Sequence, residues 1–112
     1  MSRSAPDKVE QSLSEIWMRE SEFGTAAIED AEAEHAFKIK HAKEFLKADG
    51  SVEARKAMAL VECDTQHLDY LKKKAIKEFT REKLRDAQDA LSARQSLLSY
   101  EAKTNFGYTG QT

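Results

Sequence analysis

One proline, four glycines and a single cysteine are all that the 112 residues hold of the types that turn, break or cross-link a chain. That scarcity, with 34% charged and 40% hydrophobic residues, is the mix of long helices and coiled coils rather than of disorder. Cys63 stands alone, so an internal disulfide is excluded. No apolar segment opens the chain and no apolar run is long enough to cross a bilayer, which points to a cytoplasmic protein without a membrane partner. The glycines are isolated, and neither G-x-x-x-x-G-K nor G-x-G-x-x-G occurs, so no nucleotide loop is evident. Nucleophilic catalysis needs a serine or cysteine set against a base in a pocket, and helices meeting along a seam offer no obvious concavity for one.

What is present is helix-forming sequence from Ser4 to about Lys103, with one strong break at Ala48-Asp49-Gly50-Ser51. Ser4 with Asp7 three residues on resembles a capping box, and Pro6 sits in the first turn, where its missing N–H costs little. A first helix is therefore expected over about 5–23, with Val9, Leu13, Ile16, Trp17 and Phe23 as its apolar stripe. Gly24 marks either a kink or a boundary. A second helix over about 25–48 carries Ile28, Ala31, Glu32, His35, Ile39, Ala42 and Leu46 near heptad spacing. After the break, Ser51 is a good N-cap for a third helix over about 52–103, roughly 75 Å long at 1.5 Å per residue.

Along that third helix Ala57, Val61, Asp64, Leu68, Leu71 and Ala75 alternate by three and four, with Asp64 the odd member. Leu84, Ala87, Leu91, Arg94 and Leu98 resume the alternation after a step out of phase at Ile76, Phe79 and Thr80, as an inserted stutter would produce. The expected seam therefore runs through Ile28, His35, Ile39, Leu46, Val61, Leu68, Leu71, Leu91 and Leu98. Residues 104–112 carry no charge, and two glycines there predict a helix end near Asn105 followed by a flexible tail. Phe106 and Tyr108 in that tail suit local packing, an anchor on a neighbour, or stacking on a base. The fold class is thus all-α: a long antiparallel helical hairpin or coiled coil with an additional N-terminal helical segment. A core this thin favours self-association into a homo-oligomer.

Charge is unevenly placed. Glu15 to Glu34 holds seven acidic residues against Arg19, and Lys72 to Arg85 holds seven basic ones against Glu78 and Glu82. A hairpin closed near Asp49-Gly50 sets the two blocks side by side, so Lys72, Lys73 and Lys74 either pair with the acidic segment or bind nucleic acid. A second basic stretch, Lys38, Lys40, Lys43 and Lys47 with His35 and His41 nearby, lies opposite 52–62, which adds Arg55 and Lys56. No acidic block faces it, and it is the better candidate for phosphate contacts, a solvated face being the plain alternative. Cys63 and His67 share a helix face near His35, but a fourth zinc ligand and its supporting shell are not visible, so no metal site and no cofactor are expected.

Two stretches resemble the small phage recombination mediators of the UvsY type, which load a RecA-like recombinase onto single-stranded DNA. Glu32-Ala33-Glu34-His35-Ala36-Phe37-Lys38-Ile39-Lys40, leading to Phe45-Leu46 and a glycine turn, is similar to that family's basic helix. Asp89-Ala90-Leu91-Ser92-Ala93-Arg94 is similar to a helical motif near its C-terminus. The family's Leu-Lys-Ala-Arg motif, implicated in DNA binding, corresponds here to Ile39-Lys40-His41-Ala42, with Lys43 one position later and the arginine absent. The resemblance covers about half the chain. It implies a non-enzymatic oligomer that binds single-stranded DNA, a recombinase and a single-strand-binding protein, in the host cytoplasm if the chain is phage-encoded. Lys38, Lys40, Lys43, Lys47 and Arg55, repeated around several copies, would then offset a net charge of −2 per chain. The competing expectation is a structural coiled-coil assembly or scaffolding module whose charges serve helix pairing alone.

Overall fold

In the computed structural model the backbone is described for residues 5–110 and the side chains for residues 7–104. The chain is all-α, with α1 (Ala5–Lys47), α2 (Val52–Glu62) and α3 (Asp64–Gly110), and no strand occurs among the described residues. α1 lies against the chain that returns after the turn, Asp30 meeting Lys77 in one part of it and Ser12 meeting Arg94 in another. Two compact units are distinguishable, one formed by Phe23–Thr80 and the other by the chain on either side of it. Among the described residues no helix is long and apolar enough to cross a membrane.

The turn is built as its residues dictate. α1 ends with the Ala48 amide donating back to the Glu44 carbonyl at 3.1 Å, and Gly50 then takes φ 107°, a left-handed conformation that costs any residue with a Cβ. Ser51 caps α2: in extended conformation, its Oγ accepts from the Ala54 amide at 3.2 Å. Gly24, by contrast, neither breaks nor bounds a helix, because α1 runs straight through it and the expected helices over 5–23 and 25–48 are one. A single glycine costs about 1 kcal/mol in a helix interior, too little to stop one whose flanks are good helix formers.

Two further boundaries differ from expectation. The helix after the turn is interrupted at Cys63, yet only softly: the Cys63 amide still donates to Ala59, and its carbonyl still accepts from the His67 amide at 2.8 Å. α3 also continues to Gly110 instead of ending near Asn105, since no proline follows Lys103 to stop it. Ser4 of the expected capping box lies outside the described residues, and so do the Phe106 and Tyr108 side chains.

Within the unit Phe23–Thr80, the face of α1 turned to its partner carries Phe23, Ala26, Asp30, Ala33, Phe37, Lys40 and Glu44, an unbroken three-four alternation of half-buried and buried positions. Opposite them stand Arg55, Ala59, Cys63, Gln66, Tyr70, Lys73, Lys77 and Thr80. The successive four-residue steps Arg55, Ala59, Cys63 are a stutter, and the helix interruption falls on it. Large aliphatic side chains are missing from this seam. The buried apolar residues are Ala26, Ala33, Ala59 and Cys63, and Asp30 is buried with them.

Polar rungs therefore set the register. Lys77 Nζ reaches Asp30 Oδ2 at 2.8 Å and Lys73 Nζ reaches Glu29 Oε2 at 3.6 Å, so part of the basic block meets the acidic one. Nearer the turn, the Phe37 ring lies against His67 and Tyr70, with centroids 4.9 and 6.1 Å away. The other unit repeats the pattern: Ser12 and Ala87 are buried, and Arg94 donates to the Ser12 hydroxyl and to the Lys8 carbonyl.

The stripe expected as the seam mostly faces outward. Ile28, His35, Ile39, Leu46, Val61, Leu68 and Leu71 are exposed, Leu46 by 76% and Val61 by 73%, whereas Leu91 and Leu98 are half-buried. Leu13 and Trp17 are likewise exposed, while Val9, Ile16 and Phe23 turn inward. The out-of-phase step near Ile76 is explained by this arrangement. Residues up to Ala75 belong to the outer stripe of the helix and those from Leu84 to its inner one, so two faces had been joined as one, and the inner alternation passes Lys77, Thr80, Leu84 and Ala87 without a stutter.

Because Asp30 is buried, Lys77→Ala leaves a carboxylate without its cation and is expected to cost about 2 kcal/mol, below the 3–5 of a fully buried pair since Lys77 is partly solvated. Urea unfolding followed by far-UV circular dichroism at fixed chain concentration measures it, with Asp30→Ala/Lys77→Ala losing less than the two singles together. The glycines give opposite signs in the same assay. Gly50→Ala is expected to destabilise by about 1–2 kcal/mol, and Gly24→Ala, whose Cβ meets nothing within 4 Å, to stabilise by up to about 1 kcal/mol.

Candidate nucleic-acid interface

The basic residues divide by what already holds them. On α1, Lys38 Nζ sits 2.7 Å from Glu34 Oε1, one turn back, and that hydrogen bond and charge raise its pKa above the ordinary lysine value. Lys47 Nζ lies 3.5 Å from Glu44. In both pairs the lysine is exposed and its partner lies one turn back on the same helix, so each is a weak, solvent-screened contact that a phosphate can displace. Lys40 is half-buried at a seam position beside Cys63, and Lys43 is exposed with no carboxylate partner among the described residues.

Arg55 is committed to the fold. Its Nε and Nη2 both donate to the Phe45 carbonyl, at 3.2 and 3.0 Å, and its guanidinium carbon sits 4.2 Å from the Phe45 ring centroid. A cation thus closes the C-terminal end of α1, where unpaired carbonyls accumulate, and ties the start of α2 to it. Lys56, the next residue, is exposed and has no carboxylate partner among the described residues. In the triplet, Lys73 faces Glu29, while Lys72 and Lys74 are exposed and without such a partner. The turn end of the unit Phe23–Thr80 therefore offers Lys43 and Lys56 outright, with Lys38 and Lys47 behind weak pairs.

Aromatic stacking on bases has little to draw on here. Phe45 lies under Arg55, and Phe37 is enclosed by His41, His67 and Tyr70. Contacts made by this surface would be to the backbone of a nucleic acid rather than to its bases. A groove at the turn end is lined by Lys47, Ala48, Ala57, Met58 and Val61, but Glu44 and Glu62 also line it, which disfavours a phosphate inside. Cys63 is a buried thiol whose pKa is pushed up by burial, His67 packs on Phe37, and His35 points outward. Among the described residues no group of three or more His, Cys, Asp and Glu side chains is placed to hold a metal ion.

The division between engaged and unengaged cations was hidden in the sequence. Lys73 and Lys77 are four apart and share the inner face with Tyr70, whereas Lys72 and Lys74 flank it; the signal was the alternation of polar residues, which is invisible to a search for apolar periodicity. Compared with known proteins, the chain matches no family model, no curated protein and no solved structure.

Arg55→Ala removes a bidentate cap and a cation–π contact and is expected to lower stability by about 1–2 kcal/mol. Lys56→Ala, at the neighbouring exposed position, is expected to leave the unfolding midpoint unchanged. Thermal melts of the two variants side by side separate the structural cation from the free one.

Proposed function

We propose that this chain is a non-enzymatic recombination mediator or accessory, which binds single-stranded DNA and helps to load a RecA-like recombinase. The observation that carries the reading is the set of exposed, unengaged lysines, Lys43, Lys56, Lys72 and Lys74, left over after the fold has used Arg55, Lys73 and Lys77. Lys38 and Lys47 join them once their intrahelical partners are displaced. The resemblance of 32–40 and 89–94 to UvsY-type mediators supports the same reading and adds a single-strand-binding protein as a further partner.

A lone chain of net charge −2 binds a polyanion weakly, so the contacts act through several copies, each adding a few phosphates. With Phe37 and Phe45 occupied, binding is independent of base sequence. The second reading, a structural coiled-coil assembly or scaffolding module without DNA binding, draws on the exposed apolar stripe and needs none of the free lysines.

Fluorescence anisotropy of a labelled single-stranded oligonucleotide separates the two. Saturable binding at about 50 mM salt that weakens steeply by about 200 mM is expected, and each lysine lost through Lys43→Ala or Lys56→Ala should reduce the log–log salt slope by about 0.7 per phosphate contact. Helicity stays unchanged in both variants. Absence of binding at the lower salt would leave the scaffold as the account of the molecule.

A further inference from the structure

The inner seam leaves unexplained why the larger apolar residues lie elsewhere. On α1 the stripe Ile28, His35, Ile39, Leu46 is about half a turn around the helix from the seam residues Asp30, Ala33 and Phe37. On the returning helices α2 and α3, Val61, Leu68 and Leu71 stand in the same relation to Gln66, Tyr70 and Lys73. Each helix of the unit Phe23–Thr80 thus has a small-residue and polar face, which the hairpin covers, and an apolar face opposite it, which the hairpin leaves in water. Apolar heptads held in water along two faces are a cost unless something covers them.

The chain as a whole exposes 8534 Å², more than the roughly 6,200 Å² of a compact monomer of its mass, and the exposed stripe residues Ile28, Ile39, Leu46, Val61, Leu68 and Leu71 contribute apolar area to that excess.

We propose that the outer stripe of α1 packs on the outer stripe of α2 and α3 of a second copy of this chain, so that copies join head to tail. A contact between like faces would cover only one of the two stripes and require a second, different interface for the other. The α1-to-α3 contact covers both with a single interface repeated, and such a contact closes into a ring or propagates. Two copies aligned in the same direction place these helices antiparallel, as they are inside the hairpin. In the register of the internal rungs, Ile39 meets Leu68 of the next copy and Leu46 meets its Val61. The same register sets Glu32 against Lys72 of the next copy, an exposed acid against an exposed base. This deepens the reading of the protein as an assembly of copies but does not depend on DNA binding.

Light scattering coupled to size exclusion, without DNA, tests it on the full chain with Ile39→Glu and Leu68→Glu. Wild type is expected to run as more than two chains and each variant alone as one. An equimolar mixture of the variants should give a pair and nothing larger, because only one intact α1 face and one intact α3 face remain. A monomeric wild type, a variant that keeps the wild-type mass, or a mixture that stays monomeric while both variants remain helical would overturn the proposal. Should either variant lose helicity, the milder Lys72→Glu reads the same contact: the mass falls, and Glu32→Lys in the same chain restores it. No change with Lys72→Glu would also overturn the proposal. The DNA reading keeps its own readout, the salt-dependent anisotropy; within the assembly Lys72 is engaged by Glu32 of the next copy, which leaves Lys43, Lys56 and Lys74 for a polyanion, and a monomeric wild type would remove the several-copy contacts on which that reading draws.

Discussion

The ion pair between Lys77 and buried Asp30 is the constraint from which the rest of the arrangement follows. A carboxylate taken out of water must meet its cation, and a seam built largely of alanine, cysteine and the stems of polar side chains, with Phe23, Phe37 and Tyr70 as its aromatic members, supplies little aliphatic packing to choose among registers. A slip of one heptad would part Asp30 from Lys77 and Glu29 from Lys73, and would take Phe37 away from Tyr70. Polar rungs thus confer register where apolar packing is too uniform to do so, much as a single polar position does in a coiled coil. Asp30 Oδ1 and Gln66 Oε1 are buried and accept no hydrogen bond from the described residues, so the polar seam is incompletely satisfied by its own side chains.

The same economy of residues divides the cations. Lys73, Lys77 and Arg55 hold helices together, and the lysines that flank them stay free for a polyanion. In the unit Phe23–Thr80 small residues inside let the helices approach closely, and the leucines, isoleucines and valines that would otherwise fill a core remain on the outside. One helix can carry two such stripes because residues spaced by three and four recur on opposite faces without interfering.

The turn was legible almost to the residue. Gly50 and Ser51 have distinct local chemistries, a left-handed φ and an N-cap, that do not depend on the rest of the fold. All-α architecture and antiparallel pairing of acidic with basic segments followed from composition and that one turn. Which face is inner did not. Ile39 and Leu68 look like core residues by type, and Ser12, Arg19 and Asp30 look like surface residues, yet Ser12 and Asp30 are buried and Arg19 half-buried. Apolar periodicity finds the stripe that most needs covering, and here that is not the one the hairpin itself covers. Cys63 gave no turn signal either, since its interruption arises from a stutter shared between two helices rather than from a breaker residue.

Hydroxyl-radical footprinting over a dilution series addresses the central claim, that a polar seam closes the hairpin while the apolar stripe faces out. The account predicts that in dilute solution Leu46, Leu68 and Leu71 keep a larger fraction of the free amino acid's rate, Leu46 the largest, than the half-buried Phe37 and Tyr70, and that the leucines gain protection as concentration rises. Leucines protected at every dilution, with Phe37 and Tyr70 reacting freely, would mean that the apolar stripe closes the hairpin and would contradict it.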